Sequence, residues 1–157
     1  MLQGNGLIRP DPWRDYGKLV KFREVQMSLQ DGISDMLTRV RNACGASHDE
    51  LSIPMSKMNI AIASVLKTEG YIGDFSQVGE KTSATILIKL KYYNKQSVIE
   101  GLKRISKPSC RIYCGYEDIP KVRNGLGTVI LSTPRGVMSG RKAGAEKTGG
   151  EIICYVW

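Results

Sequence analysis

Residues 131–157 read "LSTPRGVMSGRKAGAEKTGGEIICYVW", a loop-type segment that leads into the β-type run "GGEIICYVW". β-Branched and aromatic residues, which favour extended strands, are frequent in that run. A second such run, "GTVILS" at residues 127–132, overlaps the start of the loop. Two strands around a loop of hydroxyl, glycine and cationic side chains predict a β-sheet domain with a surface that touches something polar.

Upstream of this stretch the chain keeps a mostly β pattern as far as a junction at "NKQSV", residues 94–98. "CRIYCG", residues 110–115, predicts another strand, and "IPKVRNGLG", residues 119–127, fits one short helical turn that ends in glycine. "VIEGLKRIS", residues 98–106, is ambiguous, because its apolar positions fit both a strand and a helix. We therefore predict a mostly β C-terminal domain at residues 94–157.

Residues 27–93 contain two apolar stripes at helical spacing. The first helix is predicted to begin at Ser28, which has capping-box spacing to Asp31, and to end at Gly45. The second helix is predicted from about residue 56 to about residue 69. The two stripes consist of Leu29, Ile33, Met36, Leu37 and Val40, and of Met58, Ala61, Ile62, Val65 and Leu66.

Strand patterns separate and follow these helices. "LSIP", residues 51–54, predicts a short strand, while "YIGDFSQV" and "ATILIKLKYY" predict a hairpin around the turn "GEKTS". In the second arm of this hairpin, Ile86 and Ile88 share one face and Lys89 and Lys91 the other. The prediction is an α+β fold with two small packed domains, an N-terminal α-β-α-β-β domain at residues 27–93 and the β domain after it.

The formal charge of +8 is concentrated in one part of the chain. Residues 81–142 contain 13 basic and 3 acidic side chains, whereas residues 27–80 contain 4 basic and 7 acidic ones. A basic half of this kind indicates a polyanionic partner, most often nucleic acid. Charge alone is equally compatible with a generally alkaline surface.

The composition gives little support to catalysis, a metal site or a cofactor. Cys110 and Cys114 are the only closely spaced cysteines and have no histidine nearby, so we expect reduced cysteines and no metal. His48 is the single histidine, which leaves no acid–base pair of the usual kind. We expect no enzyme and no cofactor. No apolar stretch is long enough to cross a bilayer, so we also expect no membrane partner.

The chemistry of the 131–142 loop suits RNA. Ser132 and Thr133 can exchange hydrogen bonds with sugar 2′-hydroxyls and base edges in the shallow groove of an RNA helix. Three cations of the loop can meet phosphates, namely Arg135, Arg141 and Lys142. Gly136 and Gly140 permit close backbone approach. A polar surface loop without a ligand is the competing interpretation.

Several segments resemble, in the right order, the ribosomal protein S-eight family, the eighth protein of the small ribosomal subunit in its bacterial or organellar form. The resemblance covers residues 27–157 and is carried by "QDGISDMLTRVRNA", "IPMSKMNIAIASVLKTEGYI", "LKRISKPSCRIY", "IPKVRNGLG", "LSTPRGVMSGRKA" and "GGEIICYVW". It implies the two-domain fold described above and makes "VIEGLKRIS" a strand.

The resemblance also implies a function and its partners. The protein would be a structural constituent of the small subunit that binds the central domain of small-subunit ribosomal RNA early in assembly and helps to fold it. Neighbouring small-subunit ribosomal proteins would be further partners. In bacteria, the family also represses its own operon by binding a messenger RNA that mimics the ribosomal site. The implied location is a ribosome of the bacterial cytoplasm, or else of an organelle.

RNA-contact residues carried over from the family fall in two places. The principal group consists of Ser132, Thr133, Arg135, Gly136, Gly150, Glu151 and Tyr113. The second group, in the N-terminal domain, consists of Thr38, Arg41, Asn42, Ser56 and Lys57. The competing interpretations are strand entry for Gly150 and Glu151, ordinary packing for Tyr113 and a solvated charge for Arg41.

Three positions depart from the family pattern. Pro134 stands where the family usually has a third hydroxyl, which removes one hydroxyl and one N–H from the loop. Arg135 replaces a usual lysine, and arginine can still bind phosphate. Gly32 stands where proline is common, and we expect it to loosen the first helical turn slightly.

The resemblance begins at Met27, and residues 1–26 show neither apolar periodicity nor a motif. We expect this segment to be either a disordered extension or untranslated leader; a lineage-specific arm is the alternative. Two other function classes also stay open for the chain. A stand-alone regulator of messenger RNA would need the same surface, whereas an RNA-modifying or RNA-cleaving enzyme is disfavoured by the missing acid–base and metal groups.

Overall fold

The computed structural model describes residues 31–80 and 82–157, and residues 31–157 form one compact unit. The predicted extension at residues 1–26 and the predicted capping residue Ser28 lie outside the described residues. The helices are α1 (Gly32–Gly45), α2 (Lys57–Thr68) and α3 (Gly140–Ala145). The strands are β1 (Glu50–Pro54), β2 (Ile72–Val78), β3 (Thr85–Leu90), β4 (Tyr92–Tyr93), β5 (Gln96–Ser97), β6 (Leu102–Arg104), β7 (Tyr113–Cys114), β8 (Thr128–Thr133), β9 (Gly136–Ser139) and β10 (Gly150–Val156).

The strands form two main antiparallel sheets, which confirms the predicted α+β class. The first sheet has three strands in the order β1–β3–β2, and α1 and α2 precede and follow β1 in the predicted order. The second sheet has five strands in the order β6–β10–β8–β9, with β7 also paired to β10. Strands β4 and β5 form a separate hairpin between the two sheets in the sequence. Among the described residues, no helix combines the length and apolar character needed to cross a bilayer.

Helix α1 begins later than the capping-box spacing predicts. Asp31 is its N-cap, and the carboxylate accepts hydrogen bonds from the Ser34 backbone N–H (3.3 Å) and the Ser34 hydroxyl (2.5 Å). Gly32 is therefore the first helical residue, the position where a proline fits because its N–H needs no helical partner. The cap is therefore Asp31 and not the predicted Ser28, and its side chain pairs with one of the otherwise unpaired backbone N–H groups of the first turn.

Helix α2 lies where the sequence predicts it. Ser56 is its N-cap and accepts a hydrogen bond from the Asn59 backbone N–H at 3.0 Å. Ile62 and Leu66 are fully buried in its apolar stripe. Gly70 follows the helix with a φ of +82°, a conformation that glycine adopts without a Cβ clash.

One apolar core joins the N-terminal elements to the second sheet. It contains Met36 and Leu66 from the helices, Ile86 from the first sheet, and Ile130 and Ile153 from the second sheet. The core therefore crosses the domain boundary predicted at residue 93. A polar contact also crosses it, because Arg104 donates to Asp31 at 3.4 Å.

Strand β10 is buried on both sides. Ile153 faces the core just described, while Ile152 belongs to a second cluster with Leu131, Met138 and Ala143. A register irregularity interrupts the pairing of β10 with β8 between Ile152 and Cys154. A strand between two apolar layers explains the nearly continuous apolar run "IICYV".

Only part of the ambiguous segment "VIEGLKRIS", for which the resemblance implied a strand, is a strand in the structure. Leu102–Arg104 forms strand β6 on β10, and the Ile105 N–H donates to the Ile153 carbonyl at 3.1 Å. The turn predicted at residues 119–127 is present at Val122–Gly125, but it is not a regular helix. Arg123 and Asn124 have φ values of +46° and +56°, so the chain turns through the left-handed region.

The segment that follows Thr133 differs most from its prediction as one loop. It contains strand β9, which pairs with β8, and then the short helix α3. Ser139 caps α3 by accepting from the Lys142 N–H at 3.4 Å. A Cβ on Gly140 would lie 3.0 Å from Ile119 Cγ2, so this glycine is buried by packing and lies within a helix.

Candidate nucleic-acid interface

Three of the predicted contact residues lie side by side across three strands. Glu151 on β10 pairs with Ser132 on β8 and with Tyr113 on β7. Directly opposite residues of an antiparallel pair point to the same face of the sheet. Tyr113 is 68% exposed, so its ring is not a packing residue of the sheet. The row Ser132–Glu151–Tyr113 thus presents a hydroxyl, a carboxylate and an open aromatic ring on one surface.

A tight turn continues this surface beyond Ser132. Thr133 pairs with Gly136, and Pro134 and Arg135 form the corner between β8 and β9. Proline is favoured at the first corner position because its φ is already restricted. Gly136 has a φ of +112°, which a side chain would strain. The turn therefore forms without the hydroxyl that the family usually has at position 134.

The hydroxyl of Thr133 is used inside the turn. Thr133 is only 9% exposed; its Oγ1 donates to the Gly136 carbonyl at 2.8 Å and accepts from the Arg135 N–H at 3.2 Å. The expectation that this hydroxyl offers both a donor and an acceptor to RNA therefore needs correction. Only one acceptor position stays open, and the main role of the side chain is to shape the turn.

Glu151 is held by its own neighbours. Its Oε1 accepts from the buried Ser106 hydroxyl at 2.5 Å and from Arg111 Nη1 at 2.9 Å. The same Ser106 oxygen accepts from the Ile112 N–H at 3.2 Å, which ties the carboxylate to the chain entering β7. Burial raises the pKa of Glu151, but the Ser106 and Arg111 hydrogen bonds and the charge of Arg111 outweigh it and leave the pKa below its ordinary value. Glu151 therefore stays ionised and orients Arg111.

Sequence reasoning did not identify Ser106. The serine is separated from Glu151 by 45 residues and carries no motif. Its complete burial is the only feature that marks it, and burial of a hydroxyl without a local hydrogen-bond partner cannot be seen in the sequence.

We expect Glu151→Gln to reduce the amount of folding stability that is lost when the pH is lowered. Because the folded pKa of Glu151 is lowered, its ionised form stabilises the fold above the unfolded pKa, and this contribution is lost as the pH falls through the folded pKa. The variant should be less stable near neutral pH and should lose less of its unfolding free energy between about pH 6 and about pH 3. Urea titrations of both proteins at several pH values measure this. If the unfolding free energies of the two proteins change in parallel with pH, protonation of Glu151 is not linked to folding.

Gly150 has a steric role beside this row. A Cβ at this position would lie 2.1 Å from the Ser132 carbonyl oxygen and 3.1 Å from Thr133 Cα. Strand β10 can approach β8 at this point only because residue 150 has no side chain. The glycine thereby places Glu151 opposite Ser132.

Further cations lie outside the row, on the turn, on α3 and before β7. Arg135 is 65% exposed and lies 3.5 Å from Glu146, so it is partly neutralised. Arg141 and Lys142 are exposed on α3, and Lys107 is exposed before β7. The described part of the chain places no acidic side chain other than Glu151 in the row itself.

The predicted contact residues of the N-terminal domain lie in two places, on α1 and at the start of α2. Thr38, Arg41 and Asn42 are exposed together on α1. Arg41 also donates to the Leu102 carbonyl, so it contributes to the junction with β6. Ser56 and Lys57 are exposed at the start of α2, where the Ser56 hydroxyl is engaged as the cap. No hydrogen bond or ion pair among the described residues connects either set with the row Ser132–Glu151–Tyr113.

The four cysteines are free thiols in different environments. Cys110 is exposed, Cys44 and Cys114 are half-buried, and Cys154 is buried. Burial raises the pKa of the Cys154 thiol to about 12, although the charge of Arg104 opposes the shift. Cys154 is therefore protonated and serves as an apolar residue of β10.

Comparison with known proteins confirms the resemblance found in the sequence. The family model described as ribosomal protein S8 matches residues 31–157. The small ribosomal subunit protein uS8 of Roseiflexus castenholzii is 58% identical over 132 residues, which cover 83% of this chain and 100% of that protein. The uS8 proteins of Burkholderia cenocepacia (54% identical, 83% and 99% covered) and Ruthia magnifica (53%, 83% and 100%) are similarly related. The chain therefore belongs to the ribosomal protein S8 family and is a structural, non-enzymatic ribosomal protein.

Proposed function

We propose that this protein is a component of the small ribosomal subunit and binds small-subunit ribosomal RNA directly. The observation that carries the proposal is the row Ser132–Glu151–Tyr113 with the adjoining turn at Pro134 and Arg135. An open aromatic ring, a hydroxyl and arginines on one rigid sheet are the groups that recognise irregular RNA. The bacterial relatives favour a ribosome of the bacterial cytoplasm.

Each side chain of the surface has a distinct role in this proposal. Tyr113 stacks on an unpaired base, and Ser132 exchanges hydrogen bonds with a ribose or a base edge. Arg111 and Arg135 approach phosphates, with Arg111 positioned by Glu151 at 2.9 Å. Glu151 itself is kept away from phosphate by its bonds to Ser106 and Arg111, and Thr133 holds the turn in shape.

The N-terminal residues supply a second contact in the same proposal. Thr38, Arg41 and Asn42 form one exposed patch on α1, and Lys57 adds a cation at the start of α2. Neighbouring small-subunit proteins would cover part of the remaining surface. Repression of the operon messenger RNA would use the row Ser132–Glu151–Tyr113, because a mimic of the ribosomal site presents the same groups.

Substitution of the two hydroxyl residues should separate recognition from turn structure. Ser132→Ala should weaken binding to the cognate RNA by roughly ten- to a hundredfold, since an unpaired buried partner costs about 1 to 3 kcal/mol. Thr133→Val should weaken binding and lower stability, and Thr133→Ser should restore both. The Ser132→Ala substitution should reduce the affinity for an RNA with a mutated junction much less than the affinity for the cognate RNA. The measurement is a titration of each variant against both RNAs, together with its thermal midpoint.

Ser76, an exposed serine on β2, provides the matched control, and Ser76→Ala should bind as the parent does.

Each phosphate contact should contribute roughly 0.7 to 0.9 to the slope of log affinity against log salt. Co-sedimentation with small subunits distinguishes a ribosomal component from a stand-alone regulator of messenger RNA. Salt-independent binding, or Ser132→Ala binding as tightly as Ser76→Ala, would overturn the assignment.

A further inference from the structure

The hairpin of residues 91–98 is an exposed element outside the contact residues considered so far. Its two tyrosines differ in environment. The Tyr92 hydroxyl donates to the His48 carbonyl, which anchors the hairpin to the chain between α1 and β1. Tyr93 is 74% exposed, and its hydroxyl makes no hydrogen bond to the described residues. The hairpin therefore presents one aromatic ring to the outside and fixes the other.

The backbone holds this ring in a defined position. The Val98 N–H donates to the Lys91 carbonyl at 3.0 Å, and Tyr93 pairs with Gln96 across a two-residue turn. Both turn residues have positive φ, +50° for Asn94 and +62° for Lys95. Glycine is preferred at the second position of such a turn, so the chain keeps a lysine side chain at the tip against a backbone preference.

The hairpin carries two lysines near Tyr93 in the sequence that are not neutralised by an acidic partner among the described residues. Lys91 and Lys95 are exposed and form no ion pair with any residue in the described part of the chain. Lys89, one step further along the same face, is instead paired with Glu50 at 3.8 Å. Alternation along the extended chain places Lys91 and Tyr93 on the same side, opposite the buried Leu90 and the anchored Tyr92.

We propose that this hairpin is a further RNA-contact site that binds an unpaired nucleotide, with Tyr93 stacked on the base and Lys91 and Lys95 at the flanking phosphates. An exposed aromatic ring between cations is the arrangement with which proteins bind single-stranded nucleic acid. The cations favour a polyanion over a protein surface, and the rigid turn removes part of the ordering that binding would otherwise require. This proposal rests on the proposed function, because the nucleotide belongs to the same ribosomal RNA.

The first test replaces the ring in the full-length protein. Tyr93→Ala should weaken binding to transcribed small-subunit ribosomal RNA by roughly ten- to a hundredfold, whereas Tyr93→Phe should bind within about twofold of the parent. Tyr116→Ala is the matched control, since Tyr116 is also exposed but stands beside Glu117 and Asp118. Photo-crosslinking of 4-thiouridine-substituted RNA, read by mass spectrometry, should place a crosslink on the peptide that contains Tyr93.

The second test uses the turn. Lys95→Gly should leave the thermal midpoint unchanged or raise it, because glycine adopts the positive φ easily, and should still weaken RNA binding. The slope of log affinity against log salt should fall by roughly 0.7 to 0.9, the value for one phosphate contact. Opposite changes in stability and affinity are not expected for a residue that only supports the fold.

The outcomes separate this inference from the proposed function. If the parent protein does not bind the ribosomal RNA, both fail. If the parent binds and Ser132→Ala is weakened, but Tyr93→Ala binds like Tyr116→Ala, only the hairpin site is overturned. A third outcome is that Tyr93→Ala keeps its RNA affinity but is incorporated poorly into small subunits when the other small-subunit proteins are present. In that case the hairpin contacts protein, and the RNA assignment is wrong.

Discussion

Ile153→Ala should lower the free energy of unfolding by about 3 kcal/mol, within the range of 2 to 5 kcal/mol for deleting a buried isoleucine side chain. Ile153 is 2% exposed and lies in the core that also contains the buried faces of α1 and α2. The cavity therefore opens between both halves of the chain. For a protein of this size the thermal midpoint should fall by roughly 10 °C.

The same variant tests whether residues 31–157 unfold cooperatively. Since the core is shared, calorimetry should show one transition in both proteins, and hydrogen exchange should accelerate in α1 and α2 as well as in β10. Leu126→Ala is the control, because Leu126 is 86% exposed and its removal opens no cavity. Loss of protection confined to the second sheet would instead support two domains that unfold independently.

Gly150→Ala should have the largest effect on the row Ser132–Glu151–Tyr113. The added Cβ would lie 2.1 Å from the Ser132 carbonyl oxygen, a backbone atom that no side-chain rotation can move. Either β8 and β10 separate locally or the strained conformation costs about 3 kcal/mol, at the upper end for overpacking. In both cases Glu151 moves away from Ser132, and RNA affinity should fall by at least the amount seen for Ser132→Ala.

Gly144→Ala is the matched control for that substitution. Gly144 lies in α3 with nothing within 4 Å of an added Cβ, and alanine is a better helix former than glycine. The control should therefore be as stable as the parent or slightly more stable, with unchanged RNA affinity. Thermal unfolding and RNA titration of the two variants are the measurements. Equal stability of Gly150→Ala and Gly144→Ala would contradict the close approach of β8 and β10.

Elements defined by short-range patterns were predictable. The Ser56 cap and the apolar stripe of α2 are separated by a few residues, and both lie where the sequence places them. The hairpin of β2 and β3 follows from alternation and an intervening polar turn. Such signals are readable because a helix cap, a helical stripe and a strand face are properties of neighbouring residues.

The segment of residues 136–145 shows where short-range patterns fail. Strand β9 has four residues and α3 has six, so neither repeats its period often enough to stand out from a loop. Their existence depends on pairing with β8 and on packing of Gly140 against Ile119 and Val129. The same dependence explains α1, where Asp31 rather than Ser28 is the cap and is also bonded to Arg104.

The α+β class, the basic half of the chain, and the hydroxyl and arginine residues at the end of β8 and in the following turn were all predictable from the residue pattern. Which of those groups face outward depends on how the strands pack. The tertiary structure turned the Thr133 hydroxyl into the turn, joined Glu151 to Ser106 and Arg111, and required a glycine at position 150. The last two relations connect residues far apart in the chain, and their energies depend on burial and distance, which exist only once the strands have packed.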